Sequence, residues 1–507
     1  MTTAEPSPET RTALAVRLRE LVAENPDAPA VTDDDATITR AELDARTNQL
    51  ARRFARLGVT KGSLVSIALP NRIRHTESSV AAWKLGAIPQ PLSHRLPAAE
   101  LAALLEVGDP SLVVGLEPAD GRAWLTGAED VSDEDDSPLP DVVGPSWKAP
   151  TSGGSTGRPK LIVAGQEASV ESVLGTKAES LRFDRDGVML ATAPMYHNGP
   201  NMFSLMALLQ GHHVVVMRRF DAERAVRLVA EHRVTWLYVV PTMMGRMLRL
   251  PEEVRAASDF SSLRTVLHVG APCPPHVKRG WIEWAGAATL IELYAGTESQ
   301  ASCVIDGAEW LEHPGSVGRV ASGEMRVCDD EGRELPAGEV GEVWMRRAAD
   351  TPPTYYYLGA QANERDGWES LGDMGHFDAD GYLYLADRRS DMILVGGANV
   401  YPAEVESALA EHPAVVSSAV IGLPDEDLGN VVHAIVQTSS EVGADELREY
   451  LRGRLAPYKV PRTVEFSPEP LRDDAGKVRR SALRAERLTR SGNPCRSHPA
   501  TVTPFHP

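Results

Sequence analysis

The stretch "TSGGSTGRPK" (residues 151–160) combines glycines, hydroxyl side chains and one lysine. Its central residues, Gly153 to Gly157, satisfy the G-x-S-x-G pattern in which serine hydrolases present a nucleophile, here Ser155. The same residues suit a phosphate-binding loop, because backbone N–H groups and hydroxyls can donate to phosphate oxygens while Lys160 counters their charge. A surface turn is the third interpretation.

The residues after Ser155 disfavour the hydrolase interpretation. A nucleophile elbow needs a helix directly after the serine. Gly157-Arg158-Pro159 is poor helical material, and the apolar run "LIVAG" that follows predicts a strand. A standard P-loop is absent too, because Lys160 follows a proline and precedes a leucine. A glycine-rich turn between two strands remains, with either a phosphate-binding role or none.

Composition limits the class of protein. The chain has 507 residues, which suggests about three domains or subdomains, and a net charge of −19, which disfavours nucleic acids and anionic membranes as partners. No apolar run approaches the ~20 residues of a membrane span, and the N-terminus does not resemble a signal peptide. The four cysteines are scattered without a C-x-x-C pair, so we expect a cytoplasmic protein without disulfides or structural zinc.

Helical and strand patterns alternate over the first 300 residues. Helices are predicted over 41–57, 75–87 and 222–231, and strands over 63–69, 213–217, 236–240 and 265–270. This alternation predicts an α/β fold with a largely parallel sheet. The acidic run "EDVSDEDD" (129–136) is predicted to be a solvated loop.

The texture changes after residue 315, where short β-like pieces alternate with glycine-containing turns and predict a small antiparallel β subdomain. From Arg388 a compact α+β unit is expected, with helices over 402–411 and 445–455 and strands over 415–421, 431–437 and 462–467. We therefore predict an N-terminal domain over 1–387 with its β subdomain at about 315–387, a C-terminal domain over 388–489, and a disordered tail over 490–507.

Several motifs resemble those of the adenylate-forming (AMP-binding) superfamily, which includes acyl- and aryl-CoA synthetases, adenylation domains and luciferases. "TSGGSTGRPK" is similar to the phosphate-loop signature of this family, and the resemblance extends from about residue 12 to about residue 488. It implies a large α/β N-terminal domain with parallel and mixed sheets covered by helices, plus a small β subdomain. It also implies a small mobile α+β C-terminal domain.

The resemblance assigns nucleotide-binding roles within the loop to Thr151, Ser152, Gly153, Ser155, Thr156, Gly157 and Lys160. Ser155 would then donate a hydrogen bond to phosphate oxygens. One position departs from the family pattern: Gly154 stands where Ser or Thr is usual, which removes one hydroxyl from the loop.

Two further motifs resemble the parts of the family that bind adenine and phosphate. "LYAGTES" (293–299) implies that Tyr294 lies against the adenine, that Thr297 contacts the α-phosphate and that Glu298 helps to hold Mg²⁺. A carboxylate beside phosphates is repulsive unless a hard cation lies between them. "HVGAPCP" (268–274) resembles the segment that borders the adenine and the acyl pocket, matched here by residues 270–272: Gly270, Ala271 and Pro272.

The ribose contacts and the hinge follow in family order. "SLGDMGHFDADGY" (370–382) resembles the motif whose aspartate, Asp373, accepts hydrogen bonds from both ribose hydroxyls, and Arg388 matches the arginine at the ribose. The hinge residue, usually Asp or Lys, falls on Ser390, which is a second departure. Gly396 and Gly397 would line the tunnel for the pantetheine arm of CoA.

"PLRDDAGKVRRSALR" (470–484) resembles the C-terminal lysine motif of the family. The resemblance makes Lys477 the catalytic lysine, which would bridge oxygens of the carboxylate and of the phosphate. Without it, Lys477 would be interpreted as an exposed lysine in a turn.

An acyl pocket is expected from small, apolar and aromatic side chains, because "APMYHNGP" (193–200) resembles the pocket segment of CoA ligases. Its candidates are His197, Asn198, Thr242, Val269, Gly270 and Ala295. A structural role for His197 is the alternative. No carboxylate can be assigned to an amino group, which disfavours amino acids and leaves fatty, aryl and fused-ring acids.

The resemblance implies an acid–CoA ligase that uses ATP and Mg²⁺ to form an acyl-AMP and then transfers the acyl group to CoA by domain alternation. The alternative is an adenylating enzyme whose acceptor is a carrier-protein thiol, an amine or another nucleophile. A serine hydrolase or a non-catalytic nucleotide binder is the third class. The partners implied are a small-molecule carboxylate, with a carrier protein and a second copy of the chain as further candidates.

Overall fold

A computed structural model describes residues 11–152, 159–175, 180–349, 351–473 and 476–491. Its α-helices are α1 (Leu14–Glu24), α2 (Arg40–Arg56), α3 (Ile73–Lys84), α4 (Ala98–Gly108), α5 (Val170–Val173), α6 (Asn198–Leu209), α7 (Ala222–Glu231), α8 (Pro241–Leu248), α9 (Glu252–Ala256), α10 (Pro275–Ala285), α11 (Gly307–Glu312), α12 (Pro402–Ala410), α13 (Ala444–Arg452) and α14 (Arg480–Ser491).

The strands of the first 310 residues are β1 (Pro29–Thr32), β2 (Thr37–Thr39), β3 (Leu64–Ile67), β4 (Ile88–Pro91), β5 (Leu112–Val114), β6 (Trp124–Leu125), β7 (Thr151–Ser152), β8 (Lys160–Ala164), β9 (Val188–Ala191), β10 (His213–Val216), β11 (Trp236–Val239), β12 (Thr265–His268), β13 (Leu290–Ala295) and β14 (Ser302–Asp306). The later strands are β15 (Ser316–Ser322), β16 (Glu324–Cys328), β17 (Gly341–Arg346), β18 (Tyr355–Leu358), β19 (Glu364–Arg365), β20 (Trp368–Phe377), β21 (Leu383–Arg388), β22 (Ile393–Val395), β23 (Ala398–Val400), β24 (Val415–Asp425), β25 (Gly429–Thr438) and β26 (Thr463–Phe466).

A large mixed sheet forms the frame of the first part of the chain. Its central strands run in the order β13-β12-β11-β9-β10-β1, and each neighbouring pair is parallel. Strands β11 and β12 are buried along their whole length, as expected when helices cover both faces of a parallel sheet. The α/β fold expected from the alternating pattern is confirmed.

The strands after residue 315 continue this sheet in antiparallel fashion. β13 pairs with β14, β14 with β15 and β15 with β21, and β16, β17 and β20 complete the edge. A separate sheet of the described residues joins β18, β8 and β7, and a third has the order β4-β3-β5-β6. The mixed sheet thus brings the ends of β12 and β13 and the middle of β20, which carry the predicted nucleotide motifs, into one continuous layer.

The acidic run at 129–136 is a mostly exposed loop, as expected, but one of its acids is buried. Glu134 is only 4% exposed, and its carboxylate pairs with Arg53 and with Arg56, each at 2.9 Å. Side chains of α2 also bind backbone carbonyls of the run: Asn48 donates to the carbonyl of residue 136 at 2.8 Å. The run therefore packs on α2, because the arginines of that helix face it. The order of charges along the sequence does not reveal a partner from another part of the chain.

The described residues divide into a first compact unit that ends at Leu385, together with Gly476, and a second that begins at Ala386. The second unit packs α12 and α13 against an antiparallel pair, β24 and β25, to which β26 adds in parallel. The two helices and three strands predicted from the sequence are present in the predicted order, whereas β22, β23 and α14 were not predicted. No described helix is long and apolar enough to cross a membrane.

Candidate active site

Glu298 lies just beyond the carboxyl end of β13 and is 5% exposed. Its Oε1 accepts a hydrogen bond of 2.6 Å from the phenol of Tyr357, and its backbone carbonyl accepts one of 2.7 Å from Thr354 Oγ1. The amine of Lys160 lies 3.8 Å from the same Oε1 atom. The structure therefore brings the predicted metal-binding carboxylate and the lysine of the glycine-rich loop together, although they are far apart in sequence.

The flanks of the glycine-rich loop form a hairpin. Ser152 pairs with Lys160 and Thr151 with Leu161 in antiparallel register between β7 and β8. The predicted residues Gly153, Ser155, Thr156 and Gly157, and the departure at Gly154, lie outside the described residues. A hairpin of two strands differs from the strand-to-helix turn of a nucleophile elbow and agrees with the strand predicted after the loop.

Tyr294 and Asp373 come together from two different strands. Tyr294 is near the end of β13 and Asp373 is within β20, and the phenol of Tyr294 donates a hydrogen bond of 2.7 Å to Asp373 Oδ2. The motifs expected to hold the adenine and the ribose are thereby adjacent. Thr297, which precedes Glu298 in the same motif, is half-buried.

The segment after β12 lies at the same sheet edge as Tyr294, since β12 and β13 are parallel neighbours. Gly270 has φ +89°, a left-handed conformation that favours glycine, and it is exposed, as is Pro272. Val269 and Ala271 are half-buried, and Ala295 at the end of β13 is exposed. These residues form an accessible edge of small side chains beside the expected adenine position.

A buried cluster of charged side chains lies within the strands that lead to this edge. Lys278 is fully buried and forms an ion pair with Glu292, whose carboxylate also lies 3.7 Å from Nε2 of His268. Burial lowers the pKa of His268 to about 4, although the charge of Glu292 opposes the shift. The cluster sits at the register point where β12 and β13 pair His268 with Glu292. It joins the two strands that carry the predicted adenine contacts.

Two candidates for the acyl pocket lie at the start of α6. His197 is the N-cap residue of this helix, and its ring centroid is 4.4 Å from that of Tyr196. The side chain of Asn198 accepts a hydrogen bond of 2.5 Å from Lys148, which is only 4% exposed. The amine of Lys148 also contacts the ring of Trp147 at 4.8 Å. Thr242 is half-buried in the first turn of α8.

Lys477 belongs to the second unit, where it is exposed at the end of a closed turn. Its N–H donates to Asp473 Oδ1 at 2.9 Å, and the N–H of Asp473 donates to the carbonyl of Lys477 at 2.9 Å. Gly476 has φ +78°, which favours glycine directly before the lysine. Leu471 and Val478, on either side of the turn, pack with the apolar cluster of β24 and β25.

Two arginines flank this turn and bind one buried carboxylate. Glu406 of α12 accepts from Arg472 at 2.8 Å and from Arg480 at 2.9 Å, and it also accepts from the N–H of Val420. Arg480 reaches Asp391 at 2.8 Å as well. Burial by itself would lower the pKa of Arg480, but the surrounding carboxylates outweigh it and raise the pKa above the ordinary value. Glu406 therefore fixes both ends of the segment that presents Lys477.

The predicted hinge and CoA residues also lie in the second unit. Ser390 is exposed in the turn between β21 and β22, and its hydroxyl is 3.5 Å from Asp391 Oδ1. Arg388, at the end of β21, donates its N–H to Asp387 Oδ1 at 2.7 Å. Gly396 and Gly397 form the two-residue turn between β22 and β23, with φ +55° and +85°. Positive φ at both positions is the requirement of a type I′ hairpin, which explains the glycine pair.

The sequence reasoning missed the tyrosines of β18. Tyr357 contacts Glu298, and Tyr355 donates to Glu369, which also accepts from Gln300 at 2.7 Å. Burial, followed by the hydrogen bond to Glu298, raises the pKa of Tyr357 above its ordinary value, so the phenol keeps its proton. The run of three tyrosines at 355–357 was the available signal, but its partners are remote in sequence.

Comparison with known protein families identifies the family of this chain. A model described as "AMP-binding enzyme" matches residues 18–356, and one described as "AMP-binding enzyme C-terminal domain" matches residues 404–477. The chain belongs to the AMP-binding enzyme family. The first match contains Glu298, and the second ends on Lys477.

Named relatives of this AMP-binding enzyme cover most of its length. It is 33% identical to the feruloyl-CoA synthase of Amycolatopsis sp, over 91% of this chain and 96% of that protein. It is 31% identical to the long-chain-fatty-acid–CoA ligase FadD13 of Mycobacterium tuberculosis, over 89% and 93%. It is 30% identical to the fatty acid–[acyl-carrier-protein] ligase ScoC of Streptomyces coeruleorubidus, over 90% and 93%.

The solved structures of o-succinylbenzoate CoA synthetase from Bacillus subtilis are similar as well. The complex with its acyl-adenylate intermediate has a TM-score of 0.78 at 27% identity and covers 92% of this chain and 97% of that one. The complex with ATP and magnesium ion has a TM-score of 0.77 at 27% identity and covers 92% and 98%. The predicted superfamily and fold are thereby confirmed.

The residues of the first unit fit a nucleotide with a divalent cation. Mg²⁺ prefers hard oxygen ligands, and Glu298 offers a buried carboxylate with one oxygen held by a phenol. Lys160 supplies a positive charge beside it, and Asp373 offers an acceptor for ribose hydroxyls. This donor set matches the chemistry of a triphosphate, a magnesium ion and a ribose.

Proposed function

We propose that this AMP-binding enzyme is an AMP-forming acid–CoA ligase. The observation that carries the proposal is the match of both family models, whose ranges include Glu298 and Lys477. Relatives that span nearly the whole chain are CoA ligases by name, and this supports CoA as the acceptor. The substrates are ATP with Mg²⁺, a small-molecule carboxylic acid and CoA.

In the first half-reaction, an oxygen of the carboxylate attacks the α-phosphorus of ATP, and the bond to pyrophosphate breaks. Glu298 would hold the magnesium ion, which supplies charge neutralisation at the phosphates, and Thr297 would donate to the α-phosphate. Lys160 and the loop over residues 151–157 would bind the β- and γ-phosphates. Such transfers need positioning and charge stabilisation more than covalent catalysis.

Lys477 would neutralise the negative charge that builds up as the two reacting groups approach each other. Its ammonium group would contact oxygens of the carboxylate and of the α-phosphate as the two negatively charged groups approach each other. Two sets of hydrogen bonds support this role, because they fix the backbone on either side of an exposed side chain. One joins Asp473 and Lys477, and the other, the clamp, joins Arg472 and Arg480 to Glu406.

In the second half-reaction, the thiol sulfur of CoA attacks the carbonyl carbon of the acyl-AMP, AMP leaves, and the thiol proton passes to solvent. We propose that the second unit turns about Ser390 between the two steps and withdraws Lys477. Gly396 and Gly397 would then line the path of the pantetheine arm. Alternating closure of this kind protects a reactive mixed anhydride from water.

The nucleotide and acyl residues keep their predicted roles within this proposal. Tyr294 and residues 270–272 would border the adenine, and Asp373 with Arg388 would bind the ribose. His197, Asn198, Thr242, Val269 and Ala295 would line the acyl pocket. The hydrogen bond between Tyr294 and Asp373 supports the first group, because it joins the expected adenine and ribose contacts.

A second acceptor is supported by one relative. ScoC transfers to an acyl-carrier protein, as its name says, so a carrier-protein thiol is the alternative to CoA. A homodimer and a cytoplasmic location stay predictions. The described cysteines, Cys273, Cys303 and Cys328, are free.

Pyrophosphate release across a panel of fatty, aryl and fused-ring acids tests the proposal, measured with and without CoA. We expect acid-dependent pyrophosphate release and CoA-dependent release of AMP. AMP release that needs a carrier protein with a free thiol, and not CoA, would favour the alternative. Hydrolysis of an ester without ATP would revive the hydrolase interpretation.

A further inference from the structure

Tyr357 contacts both charged side chains of the predicted nucleotide site. Its hydroxyl donates to Glu298 Oε1 at 2.6 Å, and the amine of Lys160 lies 4.1 Å from the centroid of its ring. Lys160 and Glu298 are 3.8 Å apart, a loose separation for a direct ion pair. One side chain thus contacts the carboxylate with its polar end and the ammonium group with its aromatic face.

The strand β18 fixes this placement. It pairs antiparallel with β8, the strand that Lys160 begins, so Tyr355 and Tyr357 share one face while Tyr356 points to the other. Tyr356 is 51% exposed. The rings of Tyr355 and Tyr357 meet edge to face at 4.8 Å, and Tyr355 is itself held by Glu369. The position of Tyr357 is therefore set by its neighbours on three sides.

This geometry acts differently on the two charges. A phenol that donates to Oε1 of Glu298 occupies that oxygen, which orients the carboxylate and leaves Oε2 for a cation. The ring attracts the ammonium group of Lys160 through a cation–π interaction. Without the ring, the lysine could close onto the carboxylate and neutralise it, and both charges would be lost to the nucleotide.

We propose that Tyr357 is a positioning residue of the nucleotide site: its hydroxyl orients Glu298 toward the magnesium ion, and its ring holds Lys160 toward the phosphates. The inference rests on the proposed function, because it assumes that this site binds ATP. It assigns a role to a residue outside the motifs of the sequence analysis, and it separates that role into a hydroxyl part and a ring part.

Equilibrium binding of a non-hydrolysable ATP analogue to the full chain tests both parts. Isothermal titration with Mg²⁺ and with EDTA, in the absence of acid and CoA, is compared for Tyr357→Phe, Tyr357→Leu and the matched control Tyr356→Phe. The ratio of the affinity with Mg²⁺ to the affinity with EDTA should be about tenfold smaller for Tyr357→Phe than for the wild type, since a hydrogen bond to a charged group is lost. Its affinity in EDTA should equal that of the wild type. Tyr357→Leu should lose about a further threefold in both conditions. The control should match the wild type.

Two results would overturn the inference. One is analogue binding by Tyr357→Phe that equals the control with Mg²⁺. The other is an equal loss with Mg²⁺ and with EDTA, accompanied by a lower melting temperature, which would indicate a structural role of the strand. If the wild type binds the analogue with Mg²⁺ but releases no pyrophosphate with any acid, only the proposed function fails.

Discussion

The predicted nucleotide site of the first unit and the lysine turn of the second hold their charges in different ways. Glu298, Lys160 and Asp373 come from three strands or strand ends, and each has a partner from another strand. Lys477 instead lies in one turn of the second unit, where Arg472 and Arg480 on either side of it bind Glu406 and its own N–H donates to Asp473. The first arrangement shares its function among many contacts, whereas the second concentrates it in one side chain.

The largest expected effect therefore comes from the second unit. Lys477→Ala should slow adenylation by at least ~10²-fold, which is about 3 kcal/mol of transition-state stabilisation. It should keep thioester formation from supplied acyl-AMP. ATP–pyrophosphate exchange measures the first step, and Lys459→Ala, a lysine of the same unit paired with Glu404, is the control. Exchange near the wild-type rate would remove Lys477 from the catalytic role.

A hinge variant tests whether the second unit must move while the first stays in place. Ser390→Pro fixes φ in the turn between β21 and β22 and should slow the CoA step about tenfold more than adenylation. Ser390→Ala is the matched control and should leave both steps unchanged. The two half-reactions are measured separately in single-turnover experiments. Equal losses in both steps would show that Ser390 is not the hinge.

The clamp around Lys477 should give a smaller effect of the same kind. Glu406→Gln keeps the shape but removes the charge that Arg472 and Arg480 share, so we expect adenylation to fall about fivefold. The CoA step from supplied acyl-AMP should change less than twofold. Glu404→Gln, on the same helix and paired with Lys459, is the control. A parallel loss in both steps with a lower melting temperature would mean that Glu406 only stabilises the unit.

The smallest effect is expected in the shared network of the first unit. Tyr294→Phe removes the hydrogen bond to Asp373 and keeps the ring beside the expected adenine position. We predict about a threefold rise in KM for ATP with kcat unchanged, because the other contacts continue to hold the nucleotide. Initial rates at varied ATP measure it, with the exposed Tyr356→Phe as control. A fall in kcat above tenfold would show that the network is less redundant than its geometry suggests.

The sequence alone was informative where the signal was local. The glycine-rich loop, the strand after it and the order of the motifs predicted the superfamily, which the family models confirm. The helix predicted over 41–57 is present as α2 (Arg40–Arg56), which begins with a capping box of Thr39 and Glu42. These features depend on backbone conformation and short-range hydrogen bonds, which a short stretch of sequence specifies.

The tertiary structure decided the partners of the charges. No pattern in the sequence indicated that Tyr357 would contact both Lys160 and Glu298, or that Glu134 in an acidic run would be buried between Arg53 and Arg56. These pairs are set by which strands and helices become neighbours, since electrostatic contacts act through space between residues distant in sequence. The sequence therefore determined the family and the order of its motifs, and the packing of the sheets determined how the charges of its site are held.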